Sequence, residues 1–178
     1  MQALLIIDMQ REMQHRIAAG RDCVNPDAPD RIAALADRFR QRGLPVLHVR
    51  HHDDDLASPL HPEAPGVGPM DCAMARDAEP VFVKRTSSAF ASTDLAAWLQ
   101  GRGLREIAVV GAVAGFCVNS TVRAGADLGF RMTVVRDAVI GFDLPGAGLS
   151  ARMLFDATMG LLAADFATLV DSATLLDG

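Results

Sequence analysis

The chain has 178 residues, half of them hydrophobic and 22% charged, a balance that suits a globular fold and argues against disorder. Its net charge of -5 lacks the basic footprint that nucleic-acid binding requires, so no nucleic-acid partner is expected. No apolar run approaches the ~20 residues of a membrane helix, and the opening MQALLIIDMQ lacks the basic start of a signal peptide.

In chain order, Ala3–Ile7 is a short apolar run ending at Asp8, which predicts a buried parallel strand. Asp30–Arg42 carries Ile32, Leu35, Ala36 and Phe39 at helical spacing, closed by Gly43. Pro45–Arg50 predicts the second strand. His51 to Asp77 is rich in proline and includes Asp53–Asp55. It reads as a long surface excursion with a helical turn near Met70–Arg76, a length uncommon in loops without function. Val81–Lys84 predicts the third strand, and Thr93 caps a helix that ends near Gln100.

Ile107–Gly111 predicts the fourth strand, and a helix follows from Cys117 to Leu128. Met132–Val135 is the fifth strand, Leu149–Ala164 the next helix and Ala167–Val170 the sixth strand. Alternation of this kind predicts an α/β fold: a three-layer sandwich with a mostly parallel six-stranded sheet in one domain over residues 1–178. The apolar stretch Leu149–Leu176 is either the end of that core or a surface for self-association.

Sites in open parallel sheets form beyond the carboxyl ends of the strands. Asp8 ends the first strand, Lys84 ends the third, and Cys117 follows the fourth where a helix begins. A helix N-terminus and a nearby ammonium both favour a thiolate, and a carboxylate can move the thiol proton. Each residue has a plainer reading: a buried cysteine filling space, an aspartate capping a turn, a lysine at a strand end. The three cysteines, Cys23, Cys72 and Cys117, are too scattered for a metal or disulfide framework, so a reducing cytoplasm is the expected location.

The segments ALLIIDMQ (Ala3–Gln10), KRTSSAFASTDLAAWLQGRG (Lys84–Gly103) and VVGAVAGFCVNSTVRAGADLGF (Val109–Phe130) together resemble the isochorismatase-like cysteine hydrolases. The resemblance covers nearly the whole chain and implies that family's Rossmann-like hydrolase fold. It implies a triad of Asp8, Lys84 and Cys117, in which the cysteine forms a covalent acyl-enzyme, Asp8 is general base and acid, and Lys84 organises the charges. It also implies a cis peptide at Ala112–Val113 and an oxyanion hole made by the backbone N–H groups of Val113 and Cys117. A small-molecule substrate, no cofactor, no membrane partner and a homo-oligomer (dimer or larger) are the further expectations.

Two departures shape the expected activity. The metal-binding element of nicotinamidases has no counterpart in HVRHHDDD (His48–Asp55). No catalytic metal is therefore expected, and His51, His52, Asp53 and His61 read as a solvated loop that has ligand-type side chains. Gly115 and Phe116 replace an acidic or threonine-containing stretch, with Phe116 and Phe90 as candidate walls of a substrate pocket. Because vinyl-ether hydrolysis needs no thiol, the retained cysteine points to C–N hydrolysis of an amide, carbamoyl or ureido compound. The alternatives are an isochorismatase-type vinyl-ether hydrolase or a non-catalytic binding protein with the same fold.

Overall fold

The computed structural model describes residues 2–177; the two terminal positions of the expected domain range lie outside them. The sheet is built from β1 (Gln2–Ile7), β3 (Val46–His51), β4 (Val81–Lys84), β5 (Glu106–Ala112), β6 (Arg131–Phe142) and β7 (Ala167–Val170). These six strands run parallel in the order β7-β6-β5-β1-β3-β4. A two-residue strand, β2 (Cys23–Val24), adds antiparallel to the far end of β6.

Alternation along the central strands decides the layers. Ala3, Leu5 and Ile7 of β1 face a core shared with helices α3 (Leu95–Gly101), α4 (Asn119–Asp127) and α5 (Ala151–Asp165). Leu4 and Ile6 face a second core under α1 (Arg11–Ala18), α2 (Ala28–Gln41) and α6 (Ser172–Asp177). Both faces of the sheet are thus covered, as its continuous apolar strands require. The three-layer α/β sandwich expected from the sequence is present. Among the described residues no helix is long and apolar enough to cross a membrane.

Several boundaries differ from expectation. Helix α1 buries only Met13 fully, so its apolar face is too thin to show in the periodicity. Strand β6 is far longer than Met132–Val135. It steps from Val134 to Val139 while β5 steps from Val109 to Gly111, and this bulge carries the charged pair Arg136 and Asp137 that mimics a strand end. The terminal helix α6 was not expected. Helix α5 buries Phe155, Met159 and Leu162 against the sheet, while Met153 and Leu161 remain exposed.

Candidate active site

The central strands converge on the site. Asp8 follows the last residue of β1, Lys84 ends β4 and His51 ends β3, each at a carboxyl edge. Asp8 has a left-handed backbone (φ 48), a conformation aspartate tolerates at a tight turn. Its N–H donates to Val49 O at 2.9 Å, which docks the turn onto β3. Near the end of β5, Gly111 has φ +121 and lies so close to the Ile7 backbone that a Cβ would overlap it; only glycine fits. The following Ala112–Val113 peptide is cis.

Cys117 does not begin an α-helix. It lies in a wide π-type turn over Ala114–Val118, where the Val118 N–H donates to Val113 O at 3.3 Å, and α4 continues from Asn119. The segment after Lys84 is tied to α4: Ala89 N–H donates to Thr121 Oγ1 at 3.0 Å, and Ser87 Oγ to Ser120 Oγ at 2.8 Å. Lys84 and Cys117 therefore share one support.

The fully buried Lys84 is the centre of the cluster (0% exposed). Its Nζ lies 2.8 Å from Asp8 Oδ2, 3.2 Å from Cys117 Sγ and 2.9 Å from His51 Nδ1. An ammonium has three donors and no acceptor, as many donors as it has partners here. Burial raises the Asp8 carboxyl above its ordinary range, against the opposing pull of Lys84. Burial, and then the Asp8 charge, push the Cys117 thiol up to about 12, so Lys84 does not make it a resting thiolate. A carboxyl oxygen of Asp8 lies within 4.8 Å of Cys117 Sγ.

Asp8, His51 and Cys117 bring ligand-type atoms within 4.8 Å of one another, a donor set chemically suited to a transition metal. The Lys84 ammonium, however, already contacts all three, and is the cation of that cluster. Local turns account for two of the remaining loop residues: Asp53 Oδ1 accepts from Asp55 N–H and His61 Nδ1 from Glu63 N–H. His52 N–H donates to Lys84 O at 2.9 Å.

The two aromatic positions separate. Phe116, beside Cys117, is 50% exposed. Phe90 stacks on Phe130 with ring centroids 5.5 Å apart and packs against the core. His51 and Gln10 were not singled out as site residues by sequence reasoning. Gln10 is fully buried: its Oε1 accepts from His51 N–H at 2.8 Å, and its Nε2 donates to His51 O at 3.0 Å and Val67 O at 2.8 Å. The usable signal was position, since His51 ends a strand as Lys84 does.

Comparison with known proteins gives the same grouping. The Isochorismatase domain family matches residues 2–172. The chain is 34% identical over 139 residues to the isochorismatase family protein YddQ of Bacillus subtilis, covering 76% of each. It is 27% identical over 182 residues to Nicotinamidase 3 of Arabidopsis thaliana, covering 95% of this chain and 84% of that one. A solved hydrolase structure of the isochorismatase family from Chromobacterium violaceum superposes with a TM-score of 0.91 at 30% identity, covering 99% of this chain and 92% of that one. The chain therefore belongs to the isochorismatase family.

Proposed function

We propose that the protein is a cysteine-dependent hydrolase that cleaves the C–N bond of a small amide, carbamoyl or ureido compound through a thioester on Cys117. The observation that carries this reading is the buried Asp8–Lys84–Cys117 cluster, in which the ammonium touches both the carboxyl group and the thiol and a carboxyl oxygen lies within 4.8 Å of Sγ.

In the first half-reaction Asp8 takes the thiol proton as Sγ attacks the carbonyl carbon. The oxyanion is held by the backbone N–H groups of Val113 and Cys117. Collapse breaks the C–N bond, and Asp8 returns the proton to the leaving nitrogen. In the second half-reaction Asp8 takes a proton from water, the hydroxyl attacks the thioester, and Cys117 leaves as the thiol once reprotonated. A resting thiol with a carboxylate beside it suits this order, because proton transfer accompanies attack. Lys84 balances the negative charge that moves between sulfur, oxygen and Asp8. The exposed ring of Phe116 supplies an apolar surface beside the nucleophile for the group attached to the carbonyl.

Retention of all three residues favours C–N chemistry over a vinyl-ether reaction that requires no thiol, and the similarity to a nicotinamidase agrees. The test is a screen of small amides, ureides and carbamoyl compounds for ammonia release, with Cys117→Ala as control. Turnover that survives in Cys117→Ala would sink the mechanism, and a ligand bound equally by both forms without turnover would favour a binding protein.

A further inference from the structure

The proposed chemistry uses three side chains, yet the Lys84 ammonium has a third partner that the mechanism leaves unassigned. His51 Nδ1 lies 2.9 Å from Nζ, on a strand adjacent to both β1 and β4. The lysine can only donate, so Nδ1 accepts and the ring proton is on Nε2. In that tautomer Nε2–H is a donor. Burial, and next the Lys84 charge, lower the His51 pKa and keep the ring in this accepting form.

The placement of His51 is enforced separately. Its backbone N–H and C=O are both bonded by the side chain of Gln10, which is itself fully buried and also bonds Val67 O. Gln10 lies two residues beyond Asp8, and its N–H donates to Asp8 O at 2.8 Å. One short stretch thus carries the carboxyl group and fixes the residue on the other side of the ammonium. The balance of forces on Lys84 explains why such a residue is needed. A carboxylate attracts an ammonium much more strongly than a neutral thiol does. With Asp8 and Cys117 as its sole partners, the ammonium would be drawn to the carboxyl group and away from sulfur.

We propose that His51 is a positioning residue of this site: Nδ1 accepts the third proton of the Lys84 ammonium and so holds the cation within reach of Cys117 Sγ. The inference rests on reading Asp8, Lys84 and Cys117 as a hydrolytic centre, but its test needs no substrate. The rate at which iodoacetamide labels each cysteine is followed by mass spectrometry, with Cys23 and Cys72 as internal references. His51→Leu removes the acceptor and keeps bulk. His51→Asn puts an amide atom where Nδ1 lies, and His51→Gln carries its amide one carbon further.

Loss of one hydrogen bond to a charged group is expected to slow Cys117 labelling about tenfold or more in His51→Leu. Cys23 and Cys72 keep their wild-type rates, and His51→Asn recovers most of the loss where His51→Gln does not. Should His51→Leu fail to fold, faster Cys117 labelling in His51→Asn than in His51→Gln carries the same result. Equal Cys117 rates in wild type and His51→Leu overturn the proposal, as do equal rates in the two amide variants. A parallel rise at all three thiols overturns it too, by marking His51 as a purely structural residue. If labelling tracks His51 while no carbonyl compound yields ammonia, it is the hydrolytic reading that fails and the positioning role that stands.

Discussion

Strand β3 carries two histidines three residues apart, and each belongs to a buried polar cluster of opposite character. His48, 1% exposed, lies 2.9 Å from Glu79 Oε2. The same carboxylate accepts from Arg40 Nε at 2.7 Å, Arg40 Nη2 at 2.9 Å and the Arg76 N–H at 2.9 Å. There an anion is surrounded by donors. At His51 a cation is surrounded by acceptors, and the carboxyl group and thiol beside it are the desolvated members. Burial opposes the charge on Glu79, yet its donors outweigh burial and hold its pKa at about 2. At Asp8 burial prevails, and the pKa is raised. The first arrangement stabilises a charge, and the second sets a carboxyl group and a thiol with raised pKa values side by side.

Substitutions can separate these two roles. The largest effect is expected for Cys117→Ala: turnover falls by about four orders of magnitude or more, while the thermal unfolding midpoint barely moves. Retained turnover would place the nucleophile elsewhere. Asp8→Asn is expected to lower the rate by about 10² to 10⁴, the usual contribution of a general acid–base group. In the wild type, protonation of Asp8 removes the base, so kcat/KM declines as pH falls through its folded pKa. Because that pKa is raised from 3.8, the acid limb lies above pH 3.8; a limb at or below this value contradicts the assignment.

Glu79 is expected to act on stability alone. Its folded pKa of about 2 lies below its ordinary 4.5, so its contribution is full above pH 4.5 and is lost as pH falls toward about 2. The size is about 3 kcal/mol at neutral pH. Urea melts of Glu79→Gln at several pH values should show that loss with kcat unchanged, and a flat difference across the acid range would refute it. The smallest effect is expected for Arg40→Lys, about 1 kcal/mol, because an ammonium cannot reproduce the paired bonds of the guanidinium to Glu79. The same melts measure it.

Fold class was legible because the central strands are continuous apolar runs, and Val81–Lys84 and Ala167–Val170 read to the residue. Elements with little apolar surface were not legible: α1 buries one residue fully, and β2 is two residues long. Asp8, Lys84 and Cys117 were placed by the carboxyl-edge rule, and the structure brings them together. His51 obeys the same rule. Ending the predicted strand at Arg50, one residue early, assigned His51 to the polar loop, where its neighbours His52 and Asp53 made it look solvated. The neutral state of Cys117 was also hidden, since a sequence shows the nearby ammonium but not the depth of burial that outweighs it.

The Gln10 clamp has a consequence for how this protein can change. Residues 66–70 are fastened beside Met9–Glu12: Arg11 N–H bonds Gly68 O at 2.8 Å, Glu12 N–H bonds Gly66 O at 2.9 Å, and Met70 N–H bonds Met9 O at 2.9 Å. The outward arm before them is largely exposed, with Leu56 at 79%. Closing a longer loop adds little cost per added residue once both ends are fixed. New sequence can therefore be spliced between Asp53 and Pro65 while the return arm keeps Asp8 and His51 in register.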